Sequence, residues 1–421
     1  MGACHSQERE PWETAHKREP SCQAWRLVDR VAAARTARQA NRSTIPLPLA
    51  PGSHVSAHMV VCPHAARATF AEDCDALSKS RGRCAALTAV NGDAWRAQRP
   101  LVAKALGGAP SRTSRAAAVA VAADLMARLR GTVDAREIGL RVGTACVVAA
   151  MVGCRDPALE GAVAAIFAPS LARAHYRATP AEGARVDAAL RAAGETPADG
   201  ARVESALRTA GDGGLLAALR QECAAAGFDD GVAVDNAHRA LLAGAQTIAA
   251  TLCAALAFVA AHPPQESLDA RAAVRETLRI LPPVATLPRR VETRVDLGGG
   301  GVARGAWVVG DLVACAHGGD ATSLRFDPGR PADGDAAPWG VGPRSCPAGQ
   351  LSTACVAAAL EALDARATWR LARPKRDGPG PDGTCRFLEP LVYARTLAFP
   401  RPVPLVIDER LLPRPPSECN L

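Results

Sequence analysis

The sequence predicts a mainly α-helical protein with small β-sheets, folded as a single domain. Long stretches rich in Ala, Leu, Arg and Val lack the strict alternation of strands, and only 4% of the 421 residues are aromatic. Late in the chain, Val, Trp and Leu mix with Gly and Pro, which indicates short strands joined by turns. Helices should therefore form the body of the molecule.

The first two thirds of the chain divide into a tail and a run of helices. Residues 1–25 are polar and charged, which predicts a loose tail before a domain spanning 26–421. The Pro-rich segment 46–51 is predicted to be extended. Residues 93–259 predict successive helices, separated where Gly pairs and Pro interrupt the pattern.

After Pro282 and Pro283, the sequence pattern changes from helices to short strands and coil. Residues 295–316 predict short strands, and residues 326–346, rich in Pro, Gly and Asp, predict a coil. A helix should follow over residues 349–367, and residues 392–407 predict a terminal hairpin.

Charge and cysteine content indicate the kind of partner and the cellular compartment. The net charge of +8 is spread over mixed-sign segments without a dense basic block, which argues against nucleic acid and for an acidic protein partner. The 14 cysteines lie singly, without a CxxC pair or a regular framework. Most of them should therefore be reduced and buried, which fits a cytoplasmic protein.

The most apolar segment, residues 241–261, is long enough to span a bilayer. Ala, Gly, Thr and Gln make up much of it, so it is only weakly hydrophobic and is interpreted as a helix buried in the protein core. The polar N-terminal residues contain no signal-peptide stretch. The expectation is a soluble, cytoplasmic monomer that does not bind a membrane.

The strongest functional motif is a glycine-rich turn that carries one cysteine just before a predicted helix. It contains Trp339, Gly340, Gly342, Arg344 and Cys346. Glycines allow a tight backbone turn beneath a flat macrocycle, and backbone N–H groups at a helix start favour a thiolate. A cysteine that forms a thiolate can be the axial ligand of haem iron, and Cys346 is the candidate.

This turn resembles the cysteine loop of the cytochrome P-450 family of haem-thiolate monooxygenases, most closely the soluble bacterial type. Ala348 departs from the family pattern, which usually has Gly there. The resemblance implies the single-domain cytochrome P-450 fold, haem b with Cys346 on its iron, and Gly340 beside the cofactor. It also implies electrons from a separate ferredoxin and an NAD(P)H-dependent ferredoxin reductase.

Two further motifs follow the family's order. Glu276 and Arg279, three residues apart on a helix, resemble the family's buried Glu-x-x-Arg pair, with Arg330 as the third member of a structural triad. Trp95 and Arg99, four residues apart, resemble the pair that reaches the haem propionates. Arg344 and Arg290 are further propionate partners implied by the resemblance.

The segment from Ala243 to Thr247 resembles the family's oxygen-activating motif in the long central helix. Thr247 matches the family's Thr, but Gln246 replaces its acid. An amide can organise water yet cannot exchange a proton as a carboxylate does. Either Gln246 is a tolerated change in a hydroxylase, or proton delivery differs, as it would in radical coupling or peroxide-driven chemistry.

The resulting hypothesis is a monooxygenase that hydroxylates a small organic molecule, an intermediate of secondary metabolism. Thr247 and Gln246 handle oxygen and protons, and the pocket walls include Ala243, Val284, Leu287 and Thr396. One alternative is an oxidase or peroxygenase that cross-links an aromatic or peptide substrate. Another is a degenerate relative of the enzymes that serves as a partner or activator protein.

Overall fold

The computed structural model describes most of the chain. The described residues are 27–40, 42, 44–47, 57–71, 76–78, 85–165, 203, 205, 213–264, 267–297, 301–317, 324–331, 336–388, 392–394, 397–399 and 403–409. The predicted tail, residues 1–25, lies outside these ranges, and so does Thr396.

Helices make up the body of the protein, as the sequence predicts. In chain order they are α1 (Leu27–Gln39), α2 (Pro63–Ala71), α3 (Gly92–Ala105), α4 (Ala109–Arg128), α5 (Ala135–Val152), α6 (Gly214–Ala225), α7 (Asp230–Ala261), α8 (Ala270–Ile280), α9 (Leu312–His317), α10 (Gly349–Asp364) and α11 (Pro374–Asp377). Residues 157–165 are also helical, and Arg386–Leu388 form one 3₁₀ turn.

The central element is α7, a helix of 32 residues that crosses the core. Asp229 is its N-cap residue. Its closest neighbour is α5, and two glycines of α5 make this approach possible. A Cβ atom added at Gly139 would clash with the carbonyl oxygen of Ala249, and one at Gly143 would lie 2.6 Å from that of Ala245. Only glycine allows two helix backbones to pack this closely.

Helix α7 is long and apolar enough to cross a membrane, since its most apolar 18-residue stretch has a mean hydropathy of 1.8. However, 72% of that stretch is buried inside the protein. Ile248, Leu252, Leu256 and Phe258 are almost fully buried in the core cluster that α7 forms with α5, α8 and α10. The structure thus agrees with the interpretation of a core helix.

Within the described ranges, the strands form four small sheets. The largest has the order β1 (Thr44–Leu47), β2 (Ala57–Val60), β8 (Trp307–Asp311), β5 (Thr286–Val291), β3 (Leu77–Ser78); the β2–β8 pair is parallel, and the other described pairs in this sheet are antiparallel. The others are β4 (Gly131–Asp134), β12 (Pro404–Glu409) and β9 (Ala367–Leu371) in that order, β6 (Val295–Asp296) with β7 (Gly301–Val302), and β10 (Val392–Ala394) with β11 (Leu397–Phe399).

Three predicted boundaries need correction. The hairpin expected over residues 392–407 ends at Phe399, because β12 pairs instead with β4 and β9. The strand region 295–316 ends at Asp311, whose carboxylate caps the start of α9 by accepting the N–H of Ala314. The helix expected over 349–367 stops at Asp364, since Ala367 already belongs to β9. These pairings are tertiary, so local patterns do not reveal them.

Candidate functional site

The cysteine loop is a closed turn at the start of α10. The N–H of Cys346 donates to the carbonyl of Trp339 over 2.8 Å, and the N–H of Ser345 donates to that of Gly342 over 3.0 Å. Gly340 and Gly342 have φ angles of +76° and +73°, which L side chains rarely adopt. The Trp339 ring packs on Gly349, where an added Cβ would lie 3.0 Å from the indole. The turn therefore requires glycine at positions 340 and 342 for its backbone conformation, and glycine at 349 for the close contact with Trp339.

The Cys346 thiol sits at this turn, three residues before α10. The side chain is accessible, yet enough protein surrounds it for desolvation to raise its pKa. The backbone N–H of Ala348 and the positive charge of Arg99 act in the opposite direction. The net shift is upward, so ligation to a metal has to release the thiol proton.

Arg99 lies close enough to Cys346 for their charges to interact. Burial lowers the pKa of Arg99, and the neighbouring Cys346 opposes that shift. Across the described ranges, no hydrogen bond or ion pair engages the Arg99 guanidinium. A partly desolvated cation without a partner, beside a thiol, is an arrangement that an anionic group would stabilise.

Trp95 and Arg344 belong to the same cluster. Trp95 of α3 is buried, and the guanidinium of Arg344 stacks on its ring with its carbon 4.5 Å from the ring centroid. Arg344 also donates to the carbonyl of Val90 over 3.3 Å and to the side chain of Asn91 over 3.2 Å. The structure thus brings together Trp95, Arg99, Arg344 and Cys346, as the sequence predicts.

The fourth predicted cation, Arg290, does not join them. Successive residues of a strand face opposite ways, and Arg290 of β5 is exposed between Ser78 and Trp307 on the neighbouring strands. Arg289 is buried instead and faces the same side as Leu287. Sequence analysis missed Arg289, because two adjacent arginines carry no sign of which one faces inward.

Arg289 and Leu287 line a pocket of about 390 Å³, a volume that includes its opening to solvent. The Arg289 guanidinium lies 5.8 Å from the centroid of the Phe70 ring and donates to the carbonyl of Pro288. The lining is completed by the cysteine loop, and in full it consists of Phe70, Leu77, Leu287, Arg289, Trp339, Gly340, Val341 and Arg344. Two cations therefore face one pocket beside Gly340.

The central helix has an open face, defined here as the side that carries Arg239, Ala243, Gln246 and Thr247. Arg239 and Ala243 are exposed, whereas Gln246 and Thr247 are half-buried. Spacings of three, four and seven residues place all four on one side of α7. The opposite side, with Ala245 and Ala249, packs on the glycines of α5.

Thr247 and Gln246 differ in how their polar atoms are used. The Thr247 hydroxyl donates to the carbonyl of Ala243 over 2.9 Å, so its oxygen keeps the capacity to accept a hydrogen bond. The Gln246 amide has no hydrogen-bond partner among the residues that the structure describes. It can both donate to and accept from a ligand or water, but it does not ionise.

The predicted triad is present and is larger than expected. Arg279 makes two hydrogen bonds to the Glu276 carboxylate, over 2.7 and 2.8 Å, and both side chains are buried. Glu276 also accepts the side chain of Arg330 over 3.4 Å and the N–H of Asp327 over 3.2 Å. Helix α8 thereby holds the coil that precedes the cysteine loop.

His317, to which sequence analysis assigned no role, completes this buried network. Its Nδ1 lies 3.4 Å from Arg279, and its Nε2 lies 3.1 Å from the carbonyl of Ile280. A neutral ring with the proton on Nε2 satisfies both contacts. No spacing motif links His317 to Arg279, which is 38 residues away, so only the fold reveals the contact.

Of the predicted pocket walls, Ala243 lies on the open face and Leu287 lines the pocket beside the cysteine loop. Val284 is half-buried in the segment between α8 and β5. Thr396 lies outside the described residues.

Comparison with known proteins identifies the fold. No protein-family model and no curated protein matches the sequence. Among solved structures, a myxobacterial cytochrome P450 in complex with myristic acid superposes with a TM-score of 0.69 and 17% identity, over 93% of this chain and 100% of that one. The P450 OxyD, involved in the biosynthesis of vancomycin-type antibiotics, gives 0.67 and 18%, over 92% and 98%.

A third structure is that of CxnD, a cytochrome P450 enzyme for C–S bond formation in chuangxinmycin biosynthesis, with a TM-score of 0.67 and 15% identity over 90% of this chain and 95% of that one. These similarities cover nearly the whole of each chain. The protein therefore has the single-domain cytochrome P450 fold that the motifs predict.

Proposed function

We propose that this protein is a haem-thiolate monooxygenase that inserts oxygen from O₂ into a small organic molecule, with Cys346 as the axial ligand of the iron. One observation carries the proposal. In a chain with the cytochrome P450 fold, the accessible thiol of Cys346 lies at the start of α10, beside the guanidinium of Arg99, which has no partner among the described residues. Helix α10 in turn packs against the central helix that bears Thr247.

The residues around Cys346 suit haem b. Arg99 is a partly desolvated cation that has no anionic partner in the described part of the chain, and a haem propionate would supply one. Trp95, Arg344 and Arg289 are the further propionate-side residues, and Gly340 keeps the loop free of a side chain. Haem bound by a thiolate supplies the electron-rich iron that favours O–O cleavage.

The open face of α7 then handles oxygen and protons. The Thr247 hydroxyl donates its hydrogen bond to the carbonyl of Ala243, so its oxygen can accept a hydrogen bond from a water in the site. Gln246 can orient a water by donating or accepting, but the proton itself has to come from solvent through such waters. This arrangement differs from one with a carboxylate, which would itself exchange protons.

The proposed setting is bacterial secondary metabolism in the cytoplasm. Of the structural neighbours named above, OxyD is involved in the biosynthesis of vancomycin-type antibiotics, and CxnD forms a C–S bond in chuangxinmycin biosynthesis. We propose that electrons come from NAD(P)H through a separate reductase and a ferredoxin, and that the protein acts as a monomer. Ala243, Val284, Leu287 and Thr396 are the proposed walls of the substrate pocket.

Cofactor analysis of the purified protein is the first test. The pyridine haemochrome spectrum should identify haem b at one equivalent per chain, and Cys346→Ser and Arg99→Gln should both lose haem on gel filtration. Arg96→Gln is the matched control, since Arg96 is exposed on the same helix and pairs with Asp93. A different haem type, or equal retention in all four proteins, would refute this assignment.

A second candidate function is oxidative coupling without oxygen insertion, favoured by Gln246 in place of an acid. We therefore propose turnover under isotopically labelled O₂, with NADPH and a surrogate ferredoxin and reductase, on a panel of small aromatic compounds. One labelled oxygen atom in the product supports the monooxygenase. Products joined by a new bond, with no label, support coupling instead.

A further inference from the structure

The open face of α7 carries a charged residue that the proposed oxygen chemistry does not use. Arg239 lies one helical turn before Ala243 and two turns before Gln246 and Thr247, on the same side of the helix. At about 1.5 Å of rise per residue, its Cα lies about 12 Å from that of Thr247 along the axis.

This face is a bounded window rather than a solvent-exposed end of the helix. On its N-terminal side, Asn236 is buried, accepts the N–H of Leu87 over 2.8 Å and donates to the side chain of Gln98 over 3.1 Å. On its C-terminal side, Ala250 is buried. Arg239 therefore stands at one end of a short gap whose other end is formed by Gln246 and Thr247.

Arg239 is not engaged by the protein in the residues that are described. Among those described residues, no hydrogen bond, ion pair or ring contact involves it. The nearest acid along the helix is Asp235, one turn back, but its carboxylate accepts the N–H of Ala85 over 2.6 Å and does not pair with Arg239. A cation and its available acid are thus kept apart, although i,i+4 spacing would allow them to pair.

We propose that Arg239 is a specificity-determining residue that binds the carboxylate of the substrate. A guanidinium holds a carboxylate through two parallel hydrogen bonds, and one cation matches one carboxylate charge. The substrate class is then a monocarboxylic acid whose reacting carbon lies roughly 10 Å from its carboxylate, a little less than the rise between Arg239 and Thr247. This inference rests on the proposed function, because Thr247 marks the reacting end only if haem binds at Cys346.

A series of probes of increasing chain length tests the distance between the haem iron and Arg239. In ω-(imidazol-1-yl)alkanoic acids, the imidazole ligates haem iron and shifts the Soret band, while the chain length sets the position of the carboxylate. Methyl esters of the same acids have the same length without the charge. Titrations of the ferric holoprotein with each pair give Kd values that need no turnover.

The expected result is a chain length at which the acid binds roughly tenfold more tightly than its ester, as a charge-assisted pair would give. Arg239→Gln should abolish this preference and Arg239→Lys should retain part of it. Arg271→Gln is the matched control, because Arg271 is an exposed helical arginine of α8 that also lacks a described partner. The control should keep the preference.

Two results would overturn the proposal while leaving the haem site intact: equal binding of acid and ester at every length, or an acid preference that survives in Arg239→Gln. If no probe shifts the Soret band and free imidazole also fails to do so, the haem proposal fails and this inference fails with it. The spectra therefore separate the two failures.

Discussion

At the scale of single residues, the site is defined by side chains that the fold leaves without internal partners. Arg99, Gln246 and Arg239 lack hydrogen bonds within the described structure, whereas the structural ions Glu276 and Arg279 are fully paired. Buried and half-buried polar groups normally find partners. A half-buried polar group without a described partner, such as Arg99 or Gln246, therefore marks a place where a ligand is expected.

Gln246 is the residue whose replacement separates the two candidate functions. Gln246→Asp would place an ionisable group beside Thr247, which should speed proton delivery. In a monooxygenase we expect tighter coupling of NADPH consumption to product, by about twofold or more, since general acid catalysis is involved. Coupling is measured as product formed per NADPH oxidised, with peroxide release as the complement.

Gln246→Glu provides the control for chain length at the same position. A fall in native product formation in both variants, without a rise in coupling, would contradict the monooxygenase and indicate that the amide itself is required.

Arg289 and Arg290 form a natural matched pair. Arg289 is buried beside Gly340 and Arg344, while Arg290 is exposed on the other side of β5. Arg289→Gln should therefore weaken haem retention by about tenfold, the worth of one charge-assisted contact, and Arg290→Gln should leave it unchanged. Haem transfer to apomyoglobin measures retention, and thermal unfolding of both variants checks their folding. Loss of haem from Arg290→Gln alone would show that the strand faces the other way.

At the scale of elements, helix α8 acts as a clamp on the coil before the cysteine loop. Glu276 binds Arg279, Arg330 and the backbone of Asp327 at once. Arg275, exposed on the same helix, reaches the carbonyls of Pro328 over 3.2 Å and Arg330 over 3.4 Å. The clamp thus has a buried charged part and an exposed part.

The buried and the exposed part should contribute differently to the free energy of unfolding. Glu276→Gln leaves Arg279 buried without its anion, so the free energy of unfolding should fall by about 3–5 kcal/mol. Arg275→Gln removes exposed contacts only, and its cost should be below about 1 kcal/mol. Urea unfolding followed by circular dichroism provides both values. Equal losses in the two variants would show that burial of the pair is not what stabilises the coil.

At the scale of the whole molecule, the proposed docking of a ferredoxin would depend on surface charge. Arg96 and Lys104 are exposed on α3, but each already forms an ion pair, with Asp93 over 2.7 Å and with Glu222 over 2.8 Å. Changing both to Glu should lower ferredoxin-driven turnover several-fold at low salt and less at high salt, since such contacts mainly affect association. Peroxide-driven turnover, which needs no ferredoxin, should not change. Unaltered ferredoxin-driven turnover would exclude this surface.

Much of this architecture was predictable because its signals are local. The long helix α7 and the turn around Cys346 follow from composition and glycine positions, whereas the buried Glu276–Arg279 pair was expected only from the resemblance to the cytochrome P-450 family. The pairing of β12 with β4 and β9, the inward side of β5 and the contact of His317 with Arg279 depend on long-range packing. Sequence patterns carry no information on such contacts.

The central claim is that Cys346 binds haem iron as a thiolate, and the difference spectrum of the reduced protein with and without carbon monoxide tests it most directly. We predict a strongly red-shifted Soret band in the wild-type protein that is lost in Cys346→Ser, while Cys154→Ser, which removes another exposed cysteine, retains it. Persistence of the band in Cys346→Ser would refute the ligand assignment. Absence of bound haem from the wild-type protein would instead support a non-enzymatic partner protein built on the same fold.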